Sequence, residues 1–540
     1  MKKESLAVAL FGVIIGVLAT ITVIRVVDRN VRFDGDYNRW RKLNLILEQV
    51  QENYVDTIDM EKMTDAAVVA ALAELDPHSV YLPPVVLEAS ETELAGNFDG
   101  IGIQFNVPND TAIVLNVIPG GPSEKAGLMQ GDRIIKVDDR NIAGTKTPQD
   151  TMVSLMKGPS DTKVKIEVSR DGSMIPFEIT RGKIPVHCVD AAFMIDDTTG
   201  YIRLSKFTRT TYEEFSAASD KLLGQGMRRL IFDLRGNTGG YFDQAFLLCN
   251  EFLPKDALIV YMEGLHRPRR DFKADGKGKL QDISLSVLTD ESTASSSEIF
   301  AGAMQDNDRG VIVGRRTYGK GLVQEPVNFT DGSGIRLTVA RFYTPSGRCI
   351  QKPYSKDYAY DIYERYVHGE FIDADSMKID KSIEYHTAGG RAVYGGGGIV
   401  PDLFVPMDTT RATDFYLKCN RKATQMRYAS SVFDRYKSQL SAIDDFGRLE
   451  AYLDSLDLGN GFLGYAAKTD GIRPSGGEWE KSKEYMLPQI YALVGRYSKL
   501  DDEAFYRFYL AIDETIKAAY QASSEVQVPV DASVSPADAE

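Results

Sequence analysis

A run of small, hydroxyl-bearing residues in mid-chain, T-A-S-S-S-E-I at positions 293–299, most constrains what this chain can fold into. An apolar, β-rich segment (285–288) precedes it, and apolar residues at helical spacing follow it. The pattern predicts a strand, a loop and a helix, with Ser295 where the helix begins. Backbone N–H groups and the helix dipole favour negative charge there, which suits a nucleophile whose attack creates an oxyanion nearby.

No histidine occurs between positions 289 and 324, so a base for such a nucleophile has to be another residue. Lys320, which lies between two glycines, is the candidate. A different interpretation needs no catalysis, because Ser295 and Glu298 also fit the S-x-x-E capping box. The two interpretations are compatible, and the pattern by itself does not rank Ser295, Ser296 and Ser297.

The two motifs together resemble those of the carboxy-terminal processing (tail-specific) serine proteases. Those proteins have a serine in a T/S-A-S-x-S-E-I run and a lysine in a Y/F-G-K-G run, and here Lys320 follows Ser295 by 25 residues (320 minus 295). The resemblance implies a Ser/Lys endopeptidase with Ser295 as nucleophile, Lys320 as base and Gln324 beside the amine. It also implies a crotonase/ClpP-like α/β protease core.

A second resemblance, to PDZ domains of the bacterial form, covers residues 96–183. Its carboxylate-binding loop would be Gly100, Ile101, Gly102 and Ile103, followed by V-I-P-G-G-P-S-E-K-A-G-L (117–128) and G-D-R-I-I-K-V-D (131–138). In this mode a peptide C-terminus adds a strand to the sheet edge while a pocket accepts an apolar side chain. Substrates with apolar C-termini are therefore the expected partners.

From residue 186 onward, short strand patterns alternate with helical ones, which predicts a layered α/β core. One strand ends in D-L-R-G-N-T-G-G (233–240), which lacks the motifs of nucleotide-binding loops. By the family resemblance this turn supplies one backbone N–H of an oxyanion hole, from Gly239 or Gly240, and Ser296 supplies the other. The choice between the two glycines stays open.

The expected fold is multidomain α/β: a protease core with an inserted PDZ domain, flanked by helical N- and C-terminal regions. The uncharged apolar run at 6–24 predicts an uncleaved inner-membrane anchor that places the enzyme in the periplasm or another extracytoplasmic part of the cell envelope. His78, in the proline-bounded turn L-D-P-H-S, is expected to be structural.

The predicted segments are an anchor (1–27), a helical region (36–95), the PDZ domain (96–183), the protease core (184–405), a helical C-terminal domain (406–522) and a disordered tail (523–540).

Composition narrows the function classes. A net charge of −14 argues against a nucleic-acid partner. Four scattered cysteines and five histidines without H-E-x-x-H predict no metal and no cofactor, while a homo-oligomer stays open. Two alternatives remain: a non-catalytic PDZ scaffold, and an acyl-CoA enzyme on a crotonase-like core, whose oxyanion hole also uses backbone amides.

Overall fold

The computed structural model describes residues 36–354 and 358–525. The chain divides into two compact units, the first ending at Leu75. Within that unit lie helices α1 (Asp36–Asn53) and α2 (Met60–Ala73). None of the helices in the described ranges is long and apolar enough to cross a membrane. The predicted anchor at 1–27 lies outside the described residues.

The second unit starts with a short strand and a helix, and a small β domain follows. Strands β3, β4, β5, β7 and β8 form its sheet in that order, with β6 paired to β5, while β2 and β9 form a two-stranded ribbon where the chain enters and leaves the domain. The elements are β1 (Val80–Leu82), α3 (Pro84–Leu94), β2 (Asn97–Gly100), β3 (Ile103–Asn106), β4 (Ala112–Val117), α4 (Pro122–Ala126), β5 (Arg133–Val137), β6 (Arg140–Asn141), α5 (Gln149–Met156), β7 (Lys163–Arg170), β8 (Ser173–Thr180) and β9 (Gly182–Pro185).

The core domain contains a six-stranded sheet in the order β10-β11-β12-β15-β16-β21, in which only β10 runs antiparallel to its neighbour. Its elements are β10 (Val189–Met194), β11 (Thr199–Leu204), α6 (Thr211–Gly224), β12 (Arg229–Asp233), α7 (Phe242–Phe252), β13 (Leu258–Gly264), β14 (Arg267–Lys273), β15 (Ser284–Thr289), α8 (Ser296–Asp306), β16 (Val311–Gly314), β17 (Leu322–Asn328), β18 (Gly334–Tyr343), α9 (Asp361–Val367), β19 (Glu384–His386), β20 (Ala392–Tyr394) and β21 (Leu403–Phe404).

Helices cover both faces of this sheet. Alternate strand residues point to opposite faces, so Leu230 and Phe232 pack with α6, α7 and α8, whereas Ile231 between them faces the C-terminal helices. Both faces bury apolar surface, as expected of parallel strands between two helical layers.

The C-terminal helices are α10 (Asp414–Arg421), α11 (Thr424–Leu440), α12 (Phe446–Asp454), α13 (Leu458–Asp470), α14 (Glu478–Gly495), α15 (Asp501–Leu510) and α16 (Glu514–Glu525). Residues of α10 to α15 share a hydrophobic core of their own. Ile516 and Ala519 of α16, however, pack on the core sheet. Within the predicted helical C-terminal segment, α10 to α15 thus share a core, while α16 covers one face of the core sheet. Helix α16 ends at Glu525, two residues past the predicted start of the tail at 523, and residues 526–540 lie outside the described residues.

A second, antiparallel sheet of five strands has the order β1-β18-β13-β14, with β17 also paired to β18. The β17–β18 hairpin turns at residues 329–333. Strands β1, β13 and β14 were not expected from the sequence. Strand β1 has only three residues, and it forms by pairing with β18, some 250 positions further along the chain.

Candidate active site

Ser295 occupies a strained turn between β15 and α8. Its φ of +56° and ψ of −116° lie outside the backbone regions that residues other than glycine normally adopt. Ser295 is the N-cap of α8. Such strain is characteristic of functional positions held by their surroundings. The local prediction of strand, loop and helix is correct here, and Ser295 borders a cleft.

The three consecutive serines have different environments. The Ser296 hydroxyl donates to the Gly240 carbonyl at 2.9 Å, and the Ser297 hydroxyl donates to the Asn237 carbonyl at 3.1 Å. Both side chains are buried, whereas Ser295 is only partly buried. Two of the three hydroxyls are therefore used to hold the glycine-rich turn at 237–240 against α8.

Glu298 joins the serine loop to the lysine loop. Its buried carboxylate accepts hydrogen bonds from the N–H groups of Ser295 (2.9 Å), Gly319 (2.7 Å) and Lys320 (2.8 Å), and from the Thr317 hydroxyl (2.5 Å). The Ser295 and Lys320 N–H groups share one oxygen, Oε2, which holds the two backbone segments side by side. Burial raises the pKa of Glu298, while the four donors oppose that shift. The capping-box pattern indicated the first of these bonds but not the other three.

Lys320 precedes β17 and lines the same cleft as Ser295. Burial lowers the pKa of its ammonium, and the positive charge of Arg336 lowers it further, whereas Glu298 and Asp76 act in the opposite direction. Among the described residues, the Lys320 side chain makes no hydrogen bond or ion pair. Gly319 has a φ of +89°, and the strand that follows the lysine starts at Leu322.

Gln324 connects this loop to the turn that contains His78. The Gln324 Nε2 donates to the His78 carbonyl at 2.6 Å, and the Asp76 carboxylate accepts the His78 N–H at 2.8 Å. His78 Nε2 lies 2.7 Å from the Tyr358 hydroxyl. Burial, together with the nearby Lys320 charge, lowers the pKa of His78 to about 4, so its ring is neutral at neutral pH. These contacts show His78 in a supporting position, with its carbonyl holding Gln324.

The backbone at 239–240 has one N–H that is engaged and one that is not. The Gly239 N–H donates to Asn237 Oδ1 at 2.9 Å, and the Gly239 carbonyl accepts from the Phe207 N–H at 3.1 Å. Because C=O and the following N–H point in opposite directions across a trans peptide, the Gly240 N–H points away from Phe207. Among the described residues it has no acceptor. A Cβ at Gly239 would lie 2.7 Å from Ser295 Cβ, so only glycine fits beside the serine.

An ion-pair cluster fixes the start of the glycine-rich turn. The Arg235 guanidinium pairs with the buried Asp233 at 2.6 Å and with Asp513, between α15 and α16, at 2.8 Å. Burial opposes ionisation of Asp233, but Arg235 and Arg203 outweigh it and lower its pKa. No local pattern pointed to a role for these residues, because Arg235 and Asp513 lie 278 positions apart in the sequence (513 minus 235).

A single cleft of about 1070 Å³ brings the predicted catalytic residues together. It is bordered by α3, the ribbon residues Asp99 and Lys183, the glycine-rich turn and the β17–β18 hairpin. The side chains or backbones that line it include Gly239, Gly240, Ser295, Ser296, Lys320 and Gln324. In the part of the chain that the structure describes, no three metal-ligating side chains cluster.

The predicted carboxylate-binding loop lies in the small β domain. Gly102 has a φ of +76°, and a Cβ there would approach Ile184 to 3.0 Å. Ile103 pairs with Val117 of β4 on one side, and within the described residues no strand pairs with the other side of β3. The loop therefore adjoins an open strand edge of the kind that accepts a peptide strand.

Comparison with known proteins agrees with this geometry. The model for Peptidase family S41 matches residues 198–360, and the model for the PDZ domain matches residues 100–180. The chain is 33% identical over 343 residues to the carboxy-terminal processing protease CtpA of Bacillus subtilis (strain 168), covering 63% of this chain and 72% of that protein. A probable CtpA-like serine protease of Staphylococcus haemolyticus is 30% identical over 355 residues, covering 65% and 71%.

Among solved structures, the photosystem II D1 C-terminal processing protease is 27% identical and is covered over 92% of its length, which corresponds to 72% of this chain. Its TM-score of 0.36 is too low for the superposition to support a conclusion. The extent of the match to CtpA is sufficient to assign the family, and it excludes both the non-catalytic scaffold and the acyl-CoA enzyme. The resemblance inferred from the serine and lysine motifs is confirmed: this chain belongs to the S41 family of carboxy-terminal processing proteases, and it is a PDZ-containing serine peptidase.

Proposed function

We propose that this peptidase cleaves polypeptides with a Ser295–Lys320 dyad. The observation that carries the proposal is that both residues line one cleft while their backbone N–H groups are bound by the same oxygen of Glu298. Ser296 and Ser297 are weaker candidates, because their buried hydroxyls already donate to backbone carbonyls. Nothing in this arrangement requires a histidine.

In the proposed mechanism, neutral Lys320 takes the proton of the Ser295 hydroxyl as it attacks the peptide carbonyl, and later gives it to the leaving amine. A solvated lysine has a pKa near 10.4 and would be protonated at neutral pH. Burial and the Arg336 charge lower the pKa of Lys320, which supports its role as base. Gln324, held through its amide nitrogen by the His78 carbonyl, retains its carbonyl oxygen to accept from the amine.

For the oxyanion hole we propose the backbone N–H groups of Gly240 and Ser296. The Gly239 N–H is engaged by Asn237, which supports Gly240 as the donor. Ser296 is the first residue of α8, where backbone N–H groups lack partners within the helix and the dipole favours an anion.

The sheet with helices on both faces supports a crotonase/ClpP-like description of the core, which stays a prediction.

The test is digestion of casein by the full chain and by single variants. Ser295→Ala and Lys320→Ala should each reduce cleavage by at least ~10³-fold while the thermal melt stays cooperative. Ser297→Ala is the matched control: it removes a hydroxyl two positions away, and measurable proteolysis should remain. Full cleavage by the Ser295→Ala protein would refute the assignment of the nucleophile.

We also propose that the PDZ domain selects substrates by their C-termini, with apolar endings preferred. The open edge of β3 beside Gly100–Ile103 supports this, because strand addition there would bring a terminal carboxylate to consecutive backbone N–H groups. Asp99 and Lys183, on the ribbon that carries the domain, line the catalytic cleft, so a bound tail would be close to it.

The proposed location is the cell envelope, with the enzyme outside the cytoplasm, anchored through residues 1–27 and acting on envelope proteins. The support is the uncharged run at 6–24, which is long enough to approach a bilayer span. Intact cells should protect the protein from added protease, and cells with a permeabilised outer layer should not. Protection in both would place the enzyme inside.

A further inference from the structure

The catalytic cleft is more basic than the chain as a whole. Besides Lys320, which the proposed mechanism needs neutral, four of its lining side chains are basic and three are acidic, although the chain has a net charge of −14. The acidic ones are Glu91, Asp99 and Asp243. Asp99 accepts from Ser160 at 2.7 Å and is occupied within the protein. A cleft of this polarity attracts negative charge on a substrate.

Arg336 is one of these basic residues, and strand pairing and a hydrogen bond hold it in place. It lies on β18, between Val80 of β1 and Pro326 of β17, and lines the cleft. Its Nη2 donates to the Ser90 hydroxyl of α3 at 2.7 Å. Among the described residues, no carboxylate forms an ion pair with Arg336, so its charge is held in place by a neutral partner.

The Arg336 guanidinium has N–H donors beyond the one that binds Ser90. The guanidinium carries five N–H groups in a planar fork, which matches a carboxylate with two parallel bonds. The group is partly buried, where ion pairs are less screened than at the surface. Arg336 lines the same cleft as Lys320, and its charge lowers the pKa of that lysine.

We propose that Arg336 binds a carboxylate of the substrate beside the scissile bond, so that the peptidase prefers substrates with a negative charge there. The proposal rests on the Ser295–Lys320 chemistry proposed above. The carboxylate could come from an Asp or Glu side chain, or from the substrate's own C-terminus when the cleaved bond lies near it. Both present the same planar anion to the guanidinium.

The experiment uses three kinds of peptide and three forms of the full chain. The first kind is a series of amidated peptides, each with a single Glu at one of the positions within about three residues of the cleaved bond. The range follows from the premise that side chains next to the bond share the cleft. The second has Gln instead, and the third has Gln with a free C-terminus near the bond. The proteins are wild type, Arg336→Gln and Arg341→Gln, the last removing an exposed arginine of the same strand from outside the cleft.

For wild type, at least one carboxylate-bearing peptide should have a kcat/KM about 10-fold above the amidated Gln peptide, as expected for a charged hydrogen-bonded pair. Arg336→Gln should remove that preference, and Arg341→Gln should keep it. A higher kcat/KM for a Glu peptide would mean that Arg336 binds a side-chain carboxylate. A higher kcat/KM for the free C-terminus alone would mean that it binds the terminal carboxylate.

Equal rates for all peptides with wild type, or an unchanged preference in Arg336→Gln, would overturn this proposal and leave the dyad standing. Inactivity of wild type toward casein and every peptide would instead overturn the dyad, and this proposal with it. If Arg336→Gln does not fold, Arg336→Lys, which keeps the charge but not the fork, should retain a reduced preference; full retention would contradict paired bonding.

A pH profile with the neutral peptide separates this role from a purely structural one. Asp76 on the turn before β1 and Glu298 on α8 favour protonated Lys320, while His78 is neutral above about pH 4. Removing the Arg336 charge therefore raises the pKa of Lys320, and the acidic limb of kcat/KM should move to higher pH in Arg336→Gln. Arg341→Gln should leave that limb in place, and no shift in either variant would contradict the placement of Arg336.

Discussion

The PDZ domain and the catalytic cleft differ in how their functional residues are distributed along the chain. The PDZ loop, its edge strand and the rest of its sheet lie within about 90 consecutive residues. The cleft is assembled from segments near positions 82–99, 183–209, 238–262, 295–296 and 320–342. The proposed peptide-binding loop is thus formed by local structure, whereas the proposed catalytic geometry depends on contacts between segments up to 260 positions apart (342 minus 82).

The two regions also differ in how their polar groups are satisfied. Behind the cleft wall, the fully buried Glu298 accepts four hydrogen bonds, and burial lowers the pKa of Lys320 in the cleft. At the PDZ edge, β3 keeps backbone groups open for a partner. A buried polar group that loses a partner is costly, so substitutions in the cleft should have larger effects than changes at the PDZ edge.

The sharpest test of the cleft is Lys320→Met, which keeps a long apolar side chain and removes the amine. Activity should fall by at least ~10³-fold, since a proposed member of the dyad is gone. Stability near neutral pH should equal or exceed that of wild type. Thermal melts alongside casein digestion measure both, and a strongly destabilised Lys320→Met protein would mean that Lys320 is a structural cation.

The pH dependence of that variant follows from the direction of the Lys320 shift. Folding lowers the pKa of Lys320, so the unfolded chain binds this proton more tightly. The resulting loss of stability is absent above the ordinary pKa, grows as pH falls, and is complete below the folded pKa. Wild-type activity should rise with pH as the amine becomes neutral, and a flat acidic limb would argue against Lys320 as the base.

Glu298→Gln should have the next largest effect. The amide keeps one acceptor oxygen and places N–H donors where the carboxylate received N–H and O–H donors, so the serine and lysine loops lose their common anchor. We expect kcat to fall ~10–100-fold and unfolding free energy to fall by about 2–3 kcal/mol. The control is Glu325→Gln, which changes an exposed glutamate on β17 paired with Arg267 at 2.6 Å. Wild-type kinetics in Glu298→Gln would show that the shared anchor is unnecessary.

A smaller effect is expected at the PDZ edge. One substrate protein should be compared with an apolar tail, with an acidic tail and with an amidated terminus. The free apolar tail should be cleaved about 10-fold faster than the amidated one at low substrate concentration, because an amide lacks the charge that backbone N–H groups bind. Equal rates for all three would refute selection through Gly100–Ile103.

The smallest predicted effect is a change in stability at the contacts between the PDZ domain and the C-terminal helices. Asn116 of β4 donates to Asp501 at the start of α15 at 2.6 Å, and Arg133 of β5 pairs with Asp434 of α11 at 2.5 Å. Burial and the adjacent Asp502 raise the pKa of Asp501 to about 6. A raised carboxyl pKa means that the folded protein binds this proton more tightly, so the contribution to stability is lost as pH rises through about 6.

Asp501→Asn should therefore stabilise the protein by about 1 kcal/mol at pH 7.5, with little effect at pH 4, on the linkage between pKa and stability. Asparagine tolerates the positive φ at this position and can still accept from Asn116. Melts of both proteins at the two pH values measure the difference, and Asp502→Asn is the neighbouring control. A stabilisation that does not depend on pH would contradict the assignment.

Much of the molecule was predictable because its signals are local. The strand, loop and helix around Ser295 follow from the apolar pattern and the small residues between them, and strands and helices alternate after residue 186 as the sequence indicated. The two motif resemblances supplied the family, which the relatives confirm. Within the PDZ region, the glycine at position 102 has the positive φ that such a loop requires.

Other features depend on residues far apart in sequence and had no local signal. The Gln324 amide meets the His78 carbonyl across 246 positions, and Arg235 meets Asp513 across nearly 280. Strand β1 is too short to show a period, and it exists because β18 pairs with it. The packing of α16 on the core sheet was not predictable from sequence either. Helical periodicity shows that one face of a helix is apolar, but it does not show which element that face contacts.

By itself, then, the sequence determined which chemical groups are present and which local structure holds them: a serine at a helix N-terminus, a lysine between glycines, and a loop of glycines before an edge strand. Only the tertiary structure decided how those groups are used. It engages the hydroxyls of Ser296 and Ser297 with the turn at 237–240, binds the Ser295 and Lys320 loops to one carboxylate, and leaves Arg336 without an acidic partner among the described residues. The physical reason is that burial and hydrogen-bond partners, which set pKa values and free or engage a hydroxyl, come from segments that meet only in the folded chain.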